Sequence, residues 1–187
     1  GDFVIRLSDR RYWQNFASSK GLNDEQAEAL LSIIDKLDRD KDGACGPKLK
    51  KLGLSLEEVK EAINSPSALS QDLQVVLDNL EARGMRDDVT VDLSIVRGLA
   101  YYTGVVFEVF DVKKKKRAVA GGGRYDTLVA ALSDGKVDLP AVGFAIGDVV
   151  IRNLIEETPS AVEIMQAALD SESTCDVFMV VADPELQ

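Results

Sequence analysis

Histidine is absent from all 187 residues. That absence removes imidazole general acid–base catalysis, Ser–His nucleophile pairs and imidazole metal ligands together. Cysteine is scarce: Cys45 and Cys175 lie far apart in unlike segments, so the chain reads as free of a disulfide framework and at home in a reducing compartment, cytoplasm or an organellar stroma or matrix. No apolar run approaches the length of a membrane span, and no signal peptide precedes the strand pattern at Phe3. An excess of positive charge is also missing. With 32 acidic against 22 basic residues, a net charge of −10, the chain lacks the basic footprint of a stand-alone nucleic-acid binder. An enzyme that handles nucleic acid through a surface elsewhere stays open. The one dense basic run, Lys113-Lys-Lys-Lys-Arg117, separates two strand-like segments and reads as a solvated hairpin turn, with a phosphate contact as the alternative.

What is present is an ordinary globular composition, 45% hydrophobic and 29% charged, long enough for one sizeable core or two small ones. Phe3-Val-Ile-Arg-Leu7 reads as a strand. Helical spacing then takes over. Tyr12, Trp13 and Phe16 share a face, and Gly21 stops that helix. Asn23 caps a second helix with Ala27, Leu30, Leu31, Ile34 and Leu37 on one side. The charged loop Asp38-Arg-Asp-Lys-Asp-Gly43 lacks the ligand alternation of an EF-hand. Pro47 to Gly53 forms a short helix or turn. Ser55-Leu-Glu-Glu58 is a capping box with Leu54 and Val59 as its staple, and a further helix runs from about Ala68 to Arg83. This helical module carries no evident chemistry.

From Asp88 the period changes to two: Val89, Val91, Leu93 and Ile95 alternate with polar residues, which predicts a strand delivering Arg97 at its end. Further strands are expected at Val105–Asp111 and Arg117–Gly121, all in one antiparallel sheet. A helix follows over Arg124–Leu132. A glycine-interrupted strand spans Pro140–Gly147, and Asp148 caps a helix over Val149–Glu157. Ser160-Ala-Val-Glu163 opens one more helix, to about Leu169, and Cys175–Ala182 reads as a strand buried on both faces. Both ends read as cuts in a longer protein.

Two segments concentrate polar side chains beside glycine. Arg97-Gly-Leu-Ala-Tyr-Tyr-Thr-Gly104 joins a cation to two tyrosines, and Gly121-Gly-Gly-Arg-Tyr-Asp126 places three glycines before Arg, Tyr and Asp. Glycine admits a ligand close to the backbone while polar neighbours orient it, so the two read as walls of one small-molecule site. The plainer alternatives are a tight strand-to-helix junction for the glycines and an ordinary ion pair for Arg97.

These segments resemble the two histidine-specific motifs of the histidyl-tRNA synthetase family of class II aminoacyl-tRNA synthetases. Pro140-Ala-Val-Gly-Phe-Ala-Ile-Gly147 is similar to the strand of class II motif 3. The resemblance implies an α+β fold: part of the class II antiparallel sheet with flanking helices, plus a helical insertion module. It divides the chain into a core strand at 1–8, the insertion at 9–87, the core at 88–172 and the start of a truncated α/β anticodon-binding domain at 173–187. It implies activation of histidine with ATP and Mg²⁺, transfer to tRNA(His), and a homodimeric intact enzyme. Carried over by position, Arg97 is the catalytic cation, near the carboxylate and the ATP α-phosphate. Tyr102, Tyr125, Gly121, Gly122 and Gly123 line the histidine pocket, and Gly147 and Arg152 belong to the ATP site. Tyr101, next to Tyr102, is expected on the opposite side if the segment is extended.

Three departures stand out. Ala100 replaces the usual Asp, Thr127 replaces a common Gly, and Val149-Val150 occupies the Glu-Arg positions of motif 3. Arg152 comes two residues late, roughly 200° around a helix. The alternative implied is a catalytically inactive paralogue that binds histidine as a regulatory subunit of ATP phosphoribosyltransferase. Motifs 1 and 2 are absent from this stretch, so the fragment alone is expected to be inactive.

Overall fold

A computed structural model describes residues 3–64, 69–97, 101–113 and 117–172. The expected strand at 175–182, the centre of the lysine run and positions 98–100, including Ala100, lie outside the described residues. The chain divides into two units, the first ending at Gly147 and the second starting at Asp148.

In the first unit, β1 (Phe3–Asp9) leads directly into α1 (Arg10–Ser19), and Asp9 caps the helix by accepting from the Arg11 N–H at 2.9 Å. α2 (Asp24–Leu37) begins with a full capping box, Asn23 and Gln26 bonding each other's backbone at 2.9 and 3.0 Å. α3 (Cys45–Lys51) and α4 (Leu56–Asn64) follow. The Ser55–Glu58 box is present at 3.1 and 2.8 Å. α5 (Gln71–Ala82) starts on a Ser70 cap, three residues later than the periodicity predicts. Trp13, Leu30, Ile34, Leu49, Leu54 and Val59 form one buried cluster. Burial of these side chains, about 1.5–3 kcal/mol each, holds helices too short to persist alone.

One turn of 3-10 helix leads into β2 (Val89–Val91), followed by β3 (Val105–Asp111), β4 (Ala120–Tyr125) and β5 (Ala141–Ile146), with α6 (Leu128–Leu132) between the last two. The sheet order is β2-β1-β3-β4-β5. β2 pairs parallel with β1, whereas the sequence reading makes every pairing antiparallel. The reason is topological. The helical module is the crossover between β1 and β2, and a long crossover is what lets two strands run the same way. The other three pairings are antiparallel.

β2 is also shorter than its alternating pattern. After Val91 the chain turns on Asp92, whose carboxylate accepts from the Ser94 N–H and hydroxyl at 3.0 and 2.6 Å and pairs with Arg6 at 3.1 Å. The alternation still sets burial: Leu93 enters the Trp13 cluster, and Ile95 packs with Tyr102 and Val106. β4 runs to Tyr125, so the segment read as helical from Arg124 is still strand.

The second unit contains α7 (Asp148–Glu156) and α8 (Pro159–Glu172). Asp148 accepts from the Val149 N–H at 2.8 Å. α8 opens with Pro159 in its first turn, where a missing N–H costs nothing, ahead of the expected start at Ser160. Among the described residues no helix is long and apolar enough to cross a membrane.

Candidate active site

The antiparallel registers decide which side chains share a face. Arg6 opposes Glu108, Glu108 opposes Gly121, and Gly121 opposes Ala145. Above this row sits Arg97, with a φ of 46°, in the left-handed region that non-glycine residues rarely adopt. Its Nη1 donates to Glu108 Oε1 at 3.0 Å. Its guanidinium stands 6.0 Å from the Tyr102 ring centre, at the outer limit of a cation–π contact. A Cβ on Gly121 would overlap Arg97 Nη1. Here glycine is required because a guanidinium occupies the space of a side chain.

A cleft of about 720 Å³ opens beside this row. Arg6, Arg39, Arg97 and Arg117 line it, with Asp35, Asp38 and Glu108 interspersed, and backbone from Gly121 and Gly147 forms part of its floor. Burial pushes the Glu108 carboxyl above the ordinary 4.5, against the opposing pull of Arg97. Arg6, Arg39 and Arg97 are each paired with a carboxylate, so four guanidiniums against three acids leave the cleft a small excess of positive charge beside its glycine floor. Among the described residues no cluster of three acidic or cysteine side chains could hold a metal, so no Mg²⁺ ligand set is assigned.

Gly123 carries the inner end of the same face: a Cβ there would meet Val106 and the Tyr102 ring at 2.7 and 2.8 Å. Tyr102 is buried, with 5% exposed, and burial raises its phenol pKa. Tyr101 does not face away. The chain turns there instead of extending, and the Tyr101 ring lies 4.6 Å from Tyr102 and 5.6 Å from Tyr125. The three tyrosines share one cluster with Ile95, Val106 and Phe110. Gly122 points to the other face, where a Cβ would strike the Gly143 carbonyl and Phe144. Arg152 belongs to the second unit, where its Nε donates to Glu156 at 2.7 Å. Arg97, Gly121 and Gly147 are thus brought to one cleft, while Tyr102, Tyr125 and Gly123 form an aromatic group on the same sheet face.

The sequence reading missed two contributions. Asp35, Asp38 and Arg39 reach the cleft from the end of α2, within a segment read as a helix fading into a charged loop. The loop is held locally, since Asp40 accepts from the Ala44 and Cys45 N–H groups at 2.8 and 2.9 Å. The second is Gly143, where a Cβ would lie 2.6 Å from the Tyr125 hydroxyl. A glycine interrupting a strand was the one available signal.

Comparison with known proteins adds the lineage. The family model described as "Histidyl-tRNA synthetase" matches residues 1–148. A histidine–tRNA ligase of Opitutus terrae is 38% identical over 96% of this chain and 44% of its own length. The crystal structure of a histidyl-tRNA synthetase from Nostoc sp. PCC 7120 superposes with a TM-score of 0.64 and 26% identity, over 84% of this chain and 43% of that one. A Bacillus halodurans structure titled as an ATP phosphoribosyltransferase regulatory subunit/histidyl-tRNA synthetase gives 0.61 at 22% identity, over 78% and 42%, and bears on the fold alone. The chain spans less than half the length of each.

Proposed function

The chain belongs to the histidyl-tRNA synthetase family, and from that premise we propose that the protein carrying it joins histidine to ATP as histidyl-adenylate and then transfers it to tRNA(His). In the first step a carboxylate oxygen attacks the α-phosphorus and pyrophosphate leaves. In the second a terminal tRNA hydroxyl attacks the activated carbonyl and AMP leaves. Joining two anions demands charge neutralisation and alignment more than a base, so a histidine-free site is suited to it. Arg97 supplies a planar guanidinium facing the developing charge.

Tyr102 and Tyr125 pack and hydrogen-bond the imidazole of the substrate over the Gly121–Gly123 strand, and Gly147 serves the ATP phosphates; Arg152 is assigned to the nucleotide by the family resemblance alone. Mg²⁺ accompanies the nucleotide. The intact protein is a homodimer working in the cytoplasm or an organelle. The observation that carries the reading is the placement of Arg97, with its left-handed φ, across Gly121 and paired with Glu108, on the wall of a cleft lined by four arginines and three carboxylates.

A second reading, a histidine-binding regulatory paralogue, is favoured by Val149-Val150 at the Glu-Arg positions of motif 3. Histidine-dependent ATP–pyrophosphate exchange by the full-length protein, with other amino acids as controls, separates the two. Exchange specific to histidine supports the synthetase. No exchange, with histidine still raising the melting temperature, supports the paralogue.

A further inference from the structure

Arg10 lies where β1 becomes α1, and only 2% of its surface is exposed. Its Nη2 donates to both oxygens of Glu28 on α2, at 2.8 and 2.9 Å. Its Nη1 donates to the carbonyls of Val96 and Arg97, at 3.4 and 3.3 Å. The Arg10 backbone N–H also donates to the Gly104 carbonyl at 3.1 Å. The helical module therefore grips the backbone at the very residue whose φ is left-handed. Such a conformation persists at an arginine only where the surroundings over-determine it.

We propose that Arg10 is a positioning residue for Arg97, with Glu28 holding the Arg10 guanidinium in place, so that the helical module sets the aim of the cleft's central cation. The chemistry explains the residue type. A guanidinium has five donors in one plane and can hold a carboxylate and two carbonyls at once, whereas an ammonium of the same charge cannot span that fork. Glu28 in turn supplies the counter-charge that a buried cation requires. Its side chain is half exposed, so changing it leaves the hydrophobic core intact. The catalytic consequence rests on the synthetase reading given above. The backbone consequence does not.

The test uses the full-length protein with Glu28→Gln and Arg10→Lys. Amide hydrogen exchange is measured at residues 95–97 and 101–104, alongside histidine-dependent pyrophosphate exchange. In both variants the amides of this loop should exchange faster while those of the buried helices around Leu30 and Leu49 stay protected. kcat should fall by about 10- to 100-fold, as for an angstrom-scale misplacement, with less than about a twofold change in the KM for histidine, because Arg97 faces the reacting charge and not the imidazole. Wild-type loop exchange and kcat in both variants would overturn the proposal, as would full retention by Arg10→Lys or equal loosening of the whole module. If the wild-type protein shows no histidine-dependent exchange, the synthetase reading falls, and loop protection still decides the role of Arg10.

Discussion

The guanidinium of Arg97 lies across Gly121 so closely that a methyl group there would overlap its Nη1 and come within 2.7 Å of its Cζ. The Phe107 carbonyl, 3.1 Å from the same point, closes the other side. Strand β4 is thus not merely glycine-rich. At this position it is hollowed to receive a specific cation.

Gly121→Ala should therefore push Arg97 off Glu108 and out of register with the cleft. Loss of one pre-aimed charge typically costs roughly 10²- to 10³-fold in turnover. The measurement is kcat for histidine-dependent pyrophosphate exchange in the full-length variant, with circular dichroism to verify folding. Unchanged kcat would show that Arg97 tolerates another position.

Glu108 should give the fold a pH-dependent handicap. Burial raises its pKa above 4.5, so the folded state holds the proton more tightly than the unfolded chain. Its contribution is complete below the ordinary carboxylate range and is lost as pH rises through the raised value. Wild-type stability should accordingly fall relative to Glu108→Gln as pH increases across that window. Parallel melting-temperature profiles would mean that the pairing with Arg97 fully offsets the burial.

In the helical module, Ser55→Ala removes the α4 cap and should cost about 1 kcal/mol. Unfolding can be followed by the fluorescence of Trp13, the only tryptophan, which is 1% exposed. Its capping partner Glu58 titrates at about 2, held down first by Lys20 and then by the Ser55 N–H. That contribution is present above 4.5 and lost as pH falls toward 2. Lys20→Met should lose less stability over this acid range than wild type; equal losses would remove the ion pair from the account.

Arg152→Ala tests the nucleotide assignment. The Arg152–Glu156 pair is solvent-exposed, 78% at the arginine, and such pairs contribute little to stability. Melting temperature should hold while the KM for ATP rises about 10-fold, the effect of losing roughly 1.4 kcal/mol of phosphate binding. No change in KM would remove Arg152 from the ATP site.

Local chemistry made most of the elements legible. The caps at Asn23 and Ser55, the stops at Gly21 and Gly84, and the helical stripes need only neighbouring residues, so their signals survive in one dimension. The resemblance in the two glycine-bearing segments located the family, which the comparisons bear out. Alternation over Val89–Ile95 gave the burial correctly but overran the strand, because a period-two pattern reports which side faces inward and not whether a ladder partner is present.

What the sequence by itself determined was the inventory: an acidic chain without histidine, a helical module, an α+β sheet and an arginine set beside glycines. Tertiary structure alone decided three things. It ran β2 parallel to β1, because the module between them acts as a crossover. It brought the end of α2 to the cleft and turned Tyr101 onto Tyr102. It also placed Arg10 and Glu28 behind Arg97, since Arg10 meets the Arg97 carbonyl 87 positions later in the chain and the Glu28 carboxylate 18 positions later. Contacts at that separation leave no periodic trace. They exist only once the sheet and the helices have packed.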